Sequence, residues 1–331
     1  MSEGSHRLLV VIVNYRSAAL TLAALRSLAP EVADLPGTRV VVVDNHGGDN
    51  DAEVLCSGIA DLGFKPWCEL MALERNGGFA SGNNAALRRA LASDAPTEYF
   101  LLLNPDTVVC PGALRALWEF AEAHPEAGIA GSQLLTPEGK LASCAFRFPS
   151  LLSELETGLR LGVVSRARAP YRTTIPLTGQ VVPADWVSGA SLLIRRAVLE
   201  QVGLLDEDYF LYFEEVDFCL RAARQGWRCY HVPASRVVHH EGQSTGVSDP
   251  NRGRRRVPGY WFKSRHRYFA KNHSVTYAAA ADLLRLVAEV GYRLRSALML
   301  RPVGTPRLFE WDLLRHVVSD RRSGRAGSGN T

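Results

Sequence analysis

Residues 8–13 form an unbroken apolar run, largely β-branched. It lacks the alternation of a half-exposed strand and predicts a parallel strand buried on both faces. Residues 17–28 change period. Apolar positions recur there at helical spacing, and Pro30 predicts the end of that helix. Residues 39–43 predict a second strand, ending in Asp44-Asn45, and residues 69–73 a third. Residues 80–92 read as a helix. Residues 99–103 read as a fourth strand that runs straight into Asn104-Pro105-Asp106. Pro111 suits the first turn of a helix reaching about His124. Strands alternating with helices imply βαβ units and a mostly parallel sheet.

The pattern loosens over residues 131–185, where Gly and Pro turns surround a basic stretch, 160–172, read as a mobile loop. Order returns with an apolar strand at 191–194, a helix at 213–225 ended by Gly226, and short strands at 229–232 and 236–239. From Pro258 onward the spacing is that of amphipathic helix, rich in Arg and aromatics. The expected organisation is a catalytic domain over 1–250, with a nucleotide-binding half of about 1–130 and an acceptor half of 131–250. A basic helical extension over 251–322 and a disordered tail over 323–331 follow.

Charge sharpens that division. Residues 251–331 hold 17 Lys and Arg against 5 Asp and Glu, a net of +12, so the remainder of this +4 chain is net −8. An acidic body with a basic end predicts an anionic partner at that end. An amphipathic helix around Arg254–Arg256, Tyr260, Trp261 and Lys271 resting on an anionic membrane is the specific expectation. No nucleic-acid motif accompanies the basic block, so nucleic acid is not expected as a partner. The six cysteines form no CxxC pair and read as free thiols of a reducing compartment. The first apolar run is too short for a signal peptide, and residues 275–300 are broken as a membrane span by Asp282, Arg285, Glu289, Arg293 and Arg295. A cytoplasmic protein, peripheral on the inner face of the cell membrane, is expected.

The chemistry concentrates at strand ends. In mostly parallel sheets ligands gather outside the carboxyl ends of the strands. Here those ends carry Asn14-Tyr15, Asp44-Asn45, Arg75-Asn76 and Asn104-Pro105-Asp106, all polar, which converges on a nucleotide-like site. No GxGxxG follows the first strand, which disfavours a dinucleotide enzyme. Asp44 is placed to accept from a base N–H or ribose hydroxyls, although Asp44-Asn45 also makes an ordinary Asx turn. The stretch Asn76-Gly77-Gly78-Phe79 to Gly82-Asn83-Asn84 brings glycine and amides to a nucleotide, or simply caps a helix. Asp106 offers a hard oxygen to Mg²⁺ or Mn²⁺, ions that take few carboxylates plus substrate phosphate oxygens. Of the tandem histidines, His239 is the better candidate to reach a metal or a phosphate.

Three acids crowd into the aromatic run from Phe210 to Phe218. Asp217 and Arg221 are four apart and can pair on one face, which makes Asp217 structural. Glu214 shares that face. Glu215 points about 100° away, in a first turn where the helix dipole keeps a carboxylate ionised, the state a general base requires. Glu215 is the expected base, with Asp217 and Glu214 as alternatives.

These motifs, in this order over about residues 8–245, resemble the family-2 glycosyltransferases of the GT-A fold, most closely the rhamnosyltransferase-type branch. The resemblance rests on Val13-Asn14-Tyr15, Val43-Asp44-Asn45, the Asn76–Asn84 loop, Asn104-Pro105-Asp106, Trp186-Val187-Ser188-Gly189-Ala190, Phe210 to Asp217, and Val238-His239-His240. It implies an α/β fold with a flanked central sheet, donor binding at Asn14, Tyr15, Asp44, Asn45, Asn76, Gly78, Asn83, Asn104 and Asp106, and acceptor contacts at Trp186, Gly189 and Ala190. It further implies a metal at Asp106 and His239, and inverting transfer from a nucleoside-diphosphate sugar, such as dTDP-rhamnose, to a glycan or polyprenyl-diphosphate acceptor. Where the family's metal motif begins with Asp this chain has Asn104, leaving one carboxylate, and Glu215 stands where Asp is frequent. Glycosylation of a small metabolite, a nucleotidyltransferase and a non-catalytic sugar-binding module are the competing expectations. The nucleotidyltransferase lacks its glycine-rich loop after the first strand.

Overall fold

The computed structural model describes residues 6–48, 50–94, 97–160, 172–240, 256–300 and 305–326, with the backbone alone at 6 and 318–326. The chain divides into two compact units. The first comprises Met1–Arg147, Thr174–Phe210 and Glu214–Ser248; the second comprises Phe148–Thr173, Leu211–Phe213 and Asp249–Thr331. Residues 148–173 and 211–213 thus group with the C-terminal helices rather than with the rest of 1–250.

In the first unit, β1 (His6–Asn14), β2 (Thr38–Asp44), β3 (Cys68–Ala72) and β4 (Thr97–Leu103) alternate with α1 (Ala18–Asp34), α2 (Asp51–Asp61) and α3 (Gly78–Leu91). Short β5 (Thr107–Val109), α4 (Ala113–Ala123), β6 (Ala127–Leu135) and β7 (Ala145–Phe146) follow. After α5 (Leu151–Leu159), which belongs to the second unit, come β8 (Val182–Ala184), β9 (Trp186–Val187), β10 (Ser191–Arg195), α6 (Arg196–Val202), α7 (Glu214–Arg224) and β11 (Arg228–His239). The nine-stranded sheet has the order β3-β2-β1-β4-β10-β6-β11-β5, with β8 paired to β11. Pairings β1–β2, β1–β4, β2–β3 and β6–β11 are parallel; β10, β5 and β8 run against their neighbours. Six of the nine strands therefore share one direction, which makes the sheet mostly parallel, as the alternating pattern predicts.

The continuous apolar runs are buried as expected: Val10, Val11, Ile12, Val42, Val43, Phe100 and Leu102 are wholly inaccessible. Three elements depart from the sequence pattern. Helix α1 passes through Pro30 and ends four residues later. Tertiary contact overrides the breaker there, because buried Glu31 accepts from the backbone N–H of Gly112 and Leu114 at 2.7 and 3.0 Å and so caps α4. The two short strands at 229–232 and 236–239 are one strand, β11, with an irregularity between Val232 and Arg236. No strand is predicted at β6, whose Gly131, Ser132 and Gln133 open the stretch, 131–185, where the pattern loosens. A Cβ on Gly131 would lie 2.6 Å from Val187, so close packing, not chain reversal, demands glycine there. All six cysteines are free.

The second unit is helical: α5, α8 (Gly259–Asn272), α9 (Val275–Leu298) and α10 (Phe309–Ala326). Helix α8 has one buried and one exposed side. Its Phe262, Tyr268 and Phe269 are buried, and Phe262 packs with Phe309 and Leu313. Its Arg265 is 1 % exposed, bonded to Glu154, Asp282 and the Ala281 carbonyl. One side of the aromatic–basic block, Phe262, Arg265, Tyr268 and Phe269, is therefore core, while Arg256, Lys263 and Lys271 stay exposed. Residues 323–326, expected in the tail, continue α10, while 327–331, most of the 160–172 loop, and Arg254 and Arg255 lie outside the described residues. Among the described residues no helix is long and apolar enough to cross a membrane.

Candidate active site

Four clusters line the carboxyl ends of the parallel strands of the first unit. The first joins β1 to β2. Asn14 is wholly buried, and its Nδ2 donates to Asp44 Oδ1 and Asp51 Oδ2, both at 2.9 Å. Its Oδ1 accepts from Ser17 Oγ and Thr21 Oγ1. All its hydrogen-bonding capacity is thus used, so Asn14 cannot touch a ligand directly as the sequence reading has it. It holds two carboxylates side by side instead. Asp51 was not among the expected residues; the signal for it was an acid in the first turn of a helix beginning just past a polar strand end. Gly47 closes this cluster, donating to Asp44 Oδ1 at 3.3 Å. Tyr15 is half-buried, with the Arg16 guanidinium 5.2 Å from its ring.

The second cluster ties β2 to the loop before α3. Asn45 Nδ2 donates to Asn76 Oδ1 and the Gly78 carbonyl at 3.0 and 2.9 Å, and Gly77 N–H returns a bond to Asn45 Oδ1. Gly78 has φ +86°, and a Cβ there would lie 2.1 Å from the Phe210 carbonyl oxygen, which accepts from Phe79 N–H at 3.0 Å. Protein backbone, rather than a nucleotide, accounts for that glycine. Asn83 donates to the Phe79 carbonyl, and its buried Oδ1 accepts no hydrogen bond among the described residues.

The third cluster sits past β4. Asn104 N–H donates to the Ala190 carbonyl, and its side chain lies 3.3 Å from His239 Nε2. Antiparallel pairing of β5 with β11 sets Thr107 opposite His239, which brings Asp106 Oδ1 within 3.2 Å of His239 Nε2. Both side chains are largely buried, at 1 % and 13 % exposure. This carboxylate–imidazole pair has the donor chemistry of a Mn²⁺ or Mg²⁺ site completed by phosphate oxygens. Among the described residues, no three His, Cys, Asp or Glu side chains are arranged to hold an ion unaided.

The fourth cluster is Glu214–Glu215 at the start of α7. Burial pushes the Glu215 carboxyl up to about 7, although it accepts from the backbone N–H groups of Glu215, Val216 and Gly189. Its Oε2 is buried and accepts nothing among the described residues. Glu214, 3 % exposed, is pushed well above the ordinary range by burial and then by the charge of Glu215. Desolvation therefore outweighs the helix terminus that the sequence reading expected to keep Glu215 ionised. Asp217 behaves as expected of a structural acid: it is wholly buried, bonded to Arg221 Nε at 2.9 Å and Tyr209 Oη at 3.3 Å.

Backbone links these clusters into one patch. A Cβ placed on Gly189 would lie 3.6 Å from the Phe79 ring and 3.8 Å from Glu215 Cβ, while the neighbouring Ala190 holds Asn104. Asp106 and Glu215 thus approach the same end of the sheet through consecutive residues. Trp186 is fixed rather than free to grip a ligand with both faces. Its ring stacks on Phe146 at 4.2 Å, and its Nε1 donates to the Arg147 carbonyl.

The family described as "Glycosyltransferase like family 2" matches residues 6–256. The N-acetylglucosaminyl-diphospho-decaprenol L-rhamnosyltransferase of Mycobacterium tuberculosis is 31% identical over 251 residues, covering 71% of this chain and 76% of that protein. The dTDP-rhamnosyl transferase RfbF of Shigella flexneri is 23% identical, covering 71% of this chain and 69% of that protein. Among solved structures, the mannosyltransferase PcManGT of Pyrobaculum calidifontis, determined with GDP-Man and Mn²⁺, superposes with TM-score 0.54 at 18% identity, covering 89% of this chain and 75% of the other. Its likeness extends to the fold, which is of the GT-A type. On the family match and the mycobacterial relative together, this chain belongs to the family-2 glycosyltransferases and is a rhamnosyltransferase-like member of them.

Proposed function

We propose that the chain transfers a deoxyhexose, rhamnose in the leading case, from a nucleoside diphosphate to a hydroxyl of a lipid-diphosphate-linked glycan, with inversion, in cell-surface polysaccharide synthesis. The observation that carries this reading is half-buried Glu215: its carboxyl is poised at about 7 and aimed by the Gly189 N–H, and its inaccessible Oε2 accepts nothing among the described residues. A carboxyl so poised accepts a proton at neutral pH. As Glu215 takes the proton of the acceptor hydroxyl, that oxygen bonds to the anomeric carbon from the face opposite the diphosphate. The bond from that carbon to the diphosphate oxygen breaks in the same step. The names of the mycobacterial and Shigella relatives favour rhamnose and, in the first case, a diphospho-decaprenol acceptor.

The donor half of the patch has matching chemistry. Asp44 and Asp51, gathered by Asn14, offer acceptors to base and ribose, and Asn76 and Asn83 flank them. Asp106 and His239 would hold a divalent cation, which supplies neutralisation of the charge that gathers on the diphosphate. Gly189 and Ala190 border the acceptor side.

Glu215→Gln tests the assignment directly. Donor affinity in calorimetry should persist while transfer falls roughly 10²–10⁴-fold. Turnover within a few fold of the native rate would place the base elsewhere. In the same assay Asp106→Ala should abolish the Mn²⁺ dependence of donor binding.

A further inference from the structure

Helix α9 contradicts its own sequence. As a string it is broken by Asp282, Arg285, Glu289, Arg293 and Arg295. In the fold the two acids and one of the arginines turn inward. Asp282 is 3 % exposed, bonded to Arg265 and to His266 Nδ1 at 2.7 Å. Arg285 reaches Glu154 at 3.3 Å and Glu289 at 3.0 Å, and Glu289 is 1 % exposed. Arg295 donates to the Leu159 carbonyl and Arg293 pairs with Glu310. What faces outward is apolar. Leu283, Val287, Val290, Leu294 and Leu298 follow one another at intervals of three and four, so they form one stripe. Their exposures run from 43 % to 87 %; of the charged side chains of α9, Asp282, Arg285 and Glu289 are turned in, and Arg293, at 39 %, is partly open.

We infer that this stripe is the face by which the second unit rests on an anionic lipid bilayer. A water-facing helix normally carries its charges outside and its leucines inside; here the arrangement is inverted over several turns. The exposed charge of this unit selects the occupant. Among the described side chains of this unit every exposed charge is positive, including Lys263, Lys271, Arg307 and Arg315, and every acid is buried or half-buried. Two copies meeting through such surfaces would set cation against cation. An apolar layer beneath anionic headgroups satisfies both features, the stripe entering the acyl boundary and the cations the phosphates. The surface deepens the proposed use of a lipid-linked acceptor, whose chain is confined to a membrane, and rests on that reading only for its purpose.

The test is cosedimentation of the full chain, without donor or acceptor, with phosphatidylcholine vesicles and with vesicles containing phosphatidylglycerol. Native protein should bind the anionic vesicles. The double variant L283E/L294E, altered only at exposed positions, should bind roughly a hundredfold more weakly, having lost two leucine-sized groups and gained two charges of the wrong sign. The variant L283F/L294F should keep or strengthen binding, which guards against a folding defect as the cause. Equal vesicle binding by L283E/L294E overturns the inference. So does a native dimer, seen by sedimentation velocity, that the same variant converts to a monomer while neither form binds vesicles. Failure of the sugar-transfer reading would show separately, as no transfer to a water-soluble short-chain acceptor, an assay that uses no membrane.

Discussion

Glu214 is buried and its neighbour Glu215 half-buried with an inaccessible Oε2, and desolvation opposes charge on both. Each carboxyl is raised in the fold relative to the ordinary value of 4.5. The native state therefore binds more protons than the unfolded chain above that value, and stability falls as pH rises through the folded pKa, about 7 for Glu215. Between pH 5 and pH 8 the protein should lose thermal stability, by about 1–3 kcal/mol on the 1.4 kcal/mol per pKa unit of the linkage relation. Glu214→Gln removes one of the two acids and should flatten that slope, raising the melting temperature chiefly at pH 8. An unchanged slope in that variant would show that Glu214 is ionised throughout. The same poise makes the rate of transfer rise with pH toward neutrality under the proposed mechanism, so site and stability oppose one another at these two positions.

At the scale of the element, α7 shows how a base in the first turn of a helix is aimed. Arg221 bridges Asp217 to the carbonyls of Val202 and Leu204 at 2.8 Å each, fixing the helix that begins with Glu214. Asp217 has no exposure at all, so Arg221→Ala leaves a buried carboxylate uncompensated and should cost about 3–5 kcal/mol in chemical denaturation. A loss below 1 kcal/mol would mean that water or another cation reaches Asp217. This pair was legible in the sequence, because spacing of four on a helix is a local rule. So were the buried strands β1, β2 and β4 and the polar residues at their ends. Helix α1 running past Pro30, and β6 with its glycines, were not legible. In both cases the deciding contact is tens of residues away: Glu31 with the start of α4, Gly131 with Val187. The candidate site divides along the same line. Asp106, His239 and Glu215 were readable as chemistry. That Asn14 spends itself on Asp44 and Asp51, and that Gly78 yields to Phe210, depended on pairings no local pattern encodes.

For the whole molecule, the division into two units gives the ionic cluster of α5, α8 and α9 a function of its own. The second unit has a small aromatic centre, Phe262 with Phe309 and Leu313, and beside it Arg265 and Arg285 among Glu154, Asp282 and Glu289. Burial works to raise Asp282, yet the His266 hydrogen bond and the Arg265 charge outweigh it and hold the carboxyl below its usual range. Glu289 goes the other way: burial raises it more than Arg285 and Arg160 lower it. The cluster therefore depends on Arg265 more than its net charge suggests, and Arg265→Leu takes from Glu154 and Asp282 the cation they share, leaving Arg285 beside the first and His266 beside the second. The expected cost is about 3–5 kcal/mol, confined to this unit. Calorimetry should then resolve a helical transition that melts ahead of the sheet-bearing unit, while the proposed nucleotide-sugar binding, assigned above to residues of the first unit, should survive below the second transition. A single cooperative transition, with binding lost at the lower temperature, would show instead that the two units fold as one and that the cluster stabilises the donor site as well.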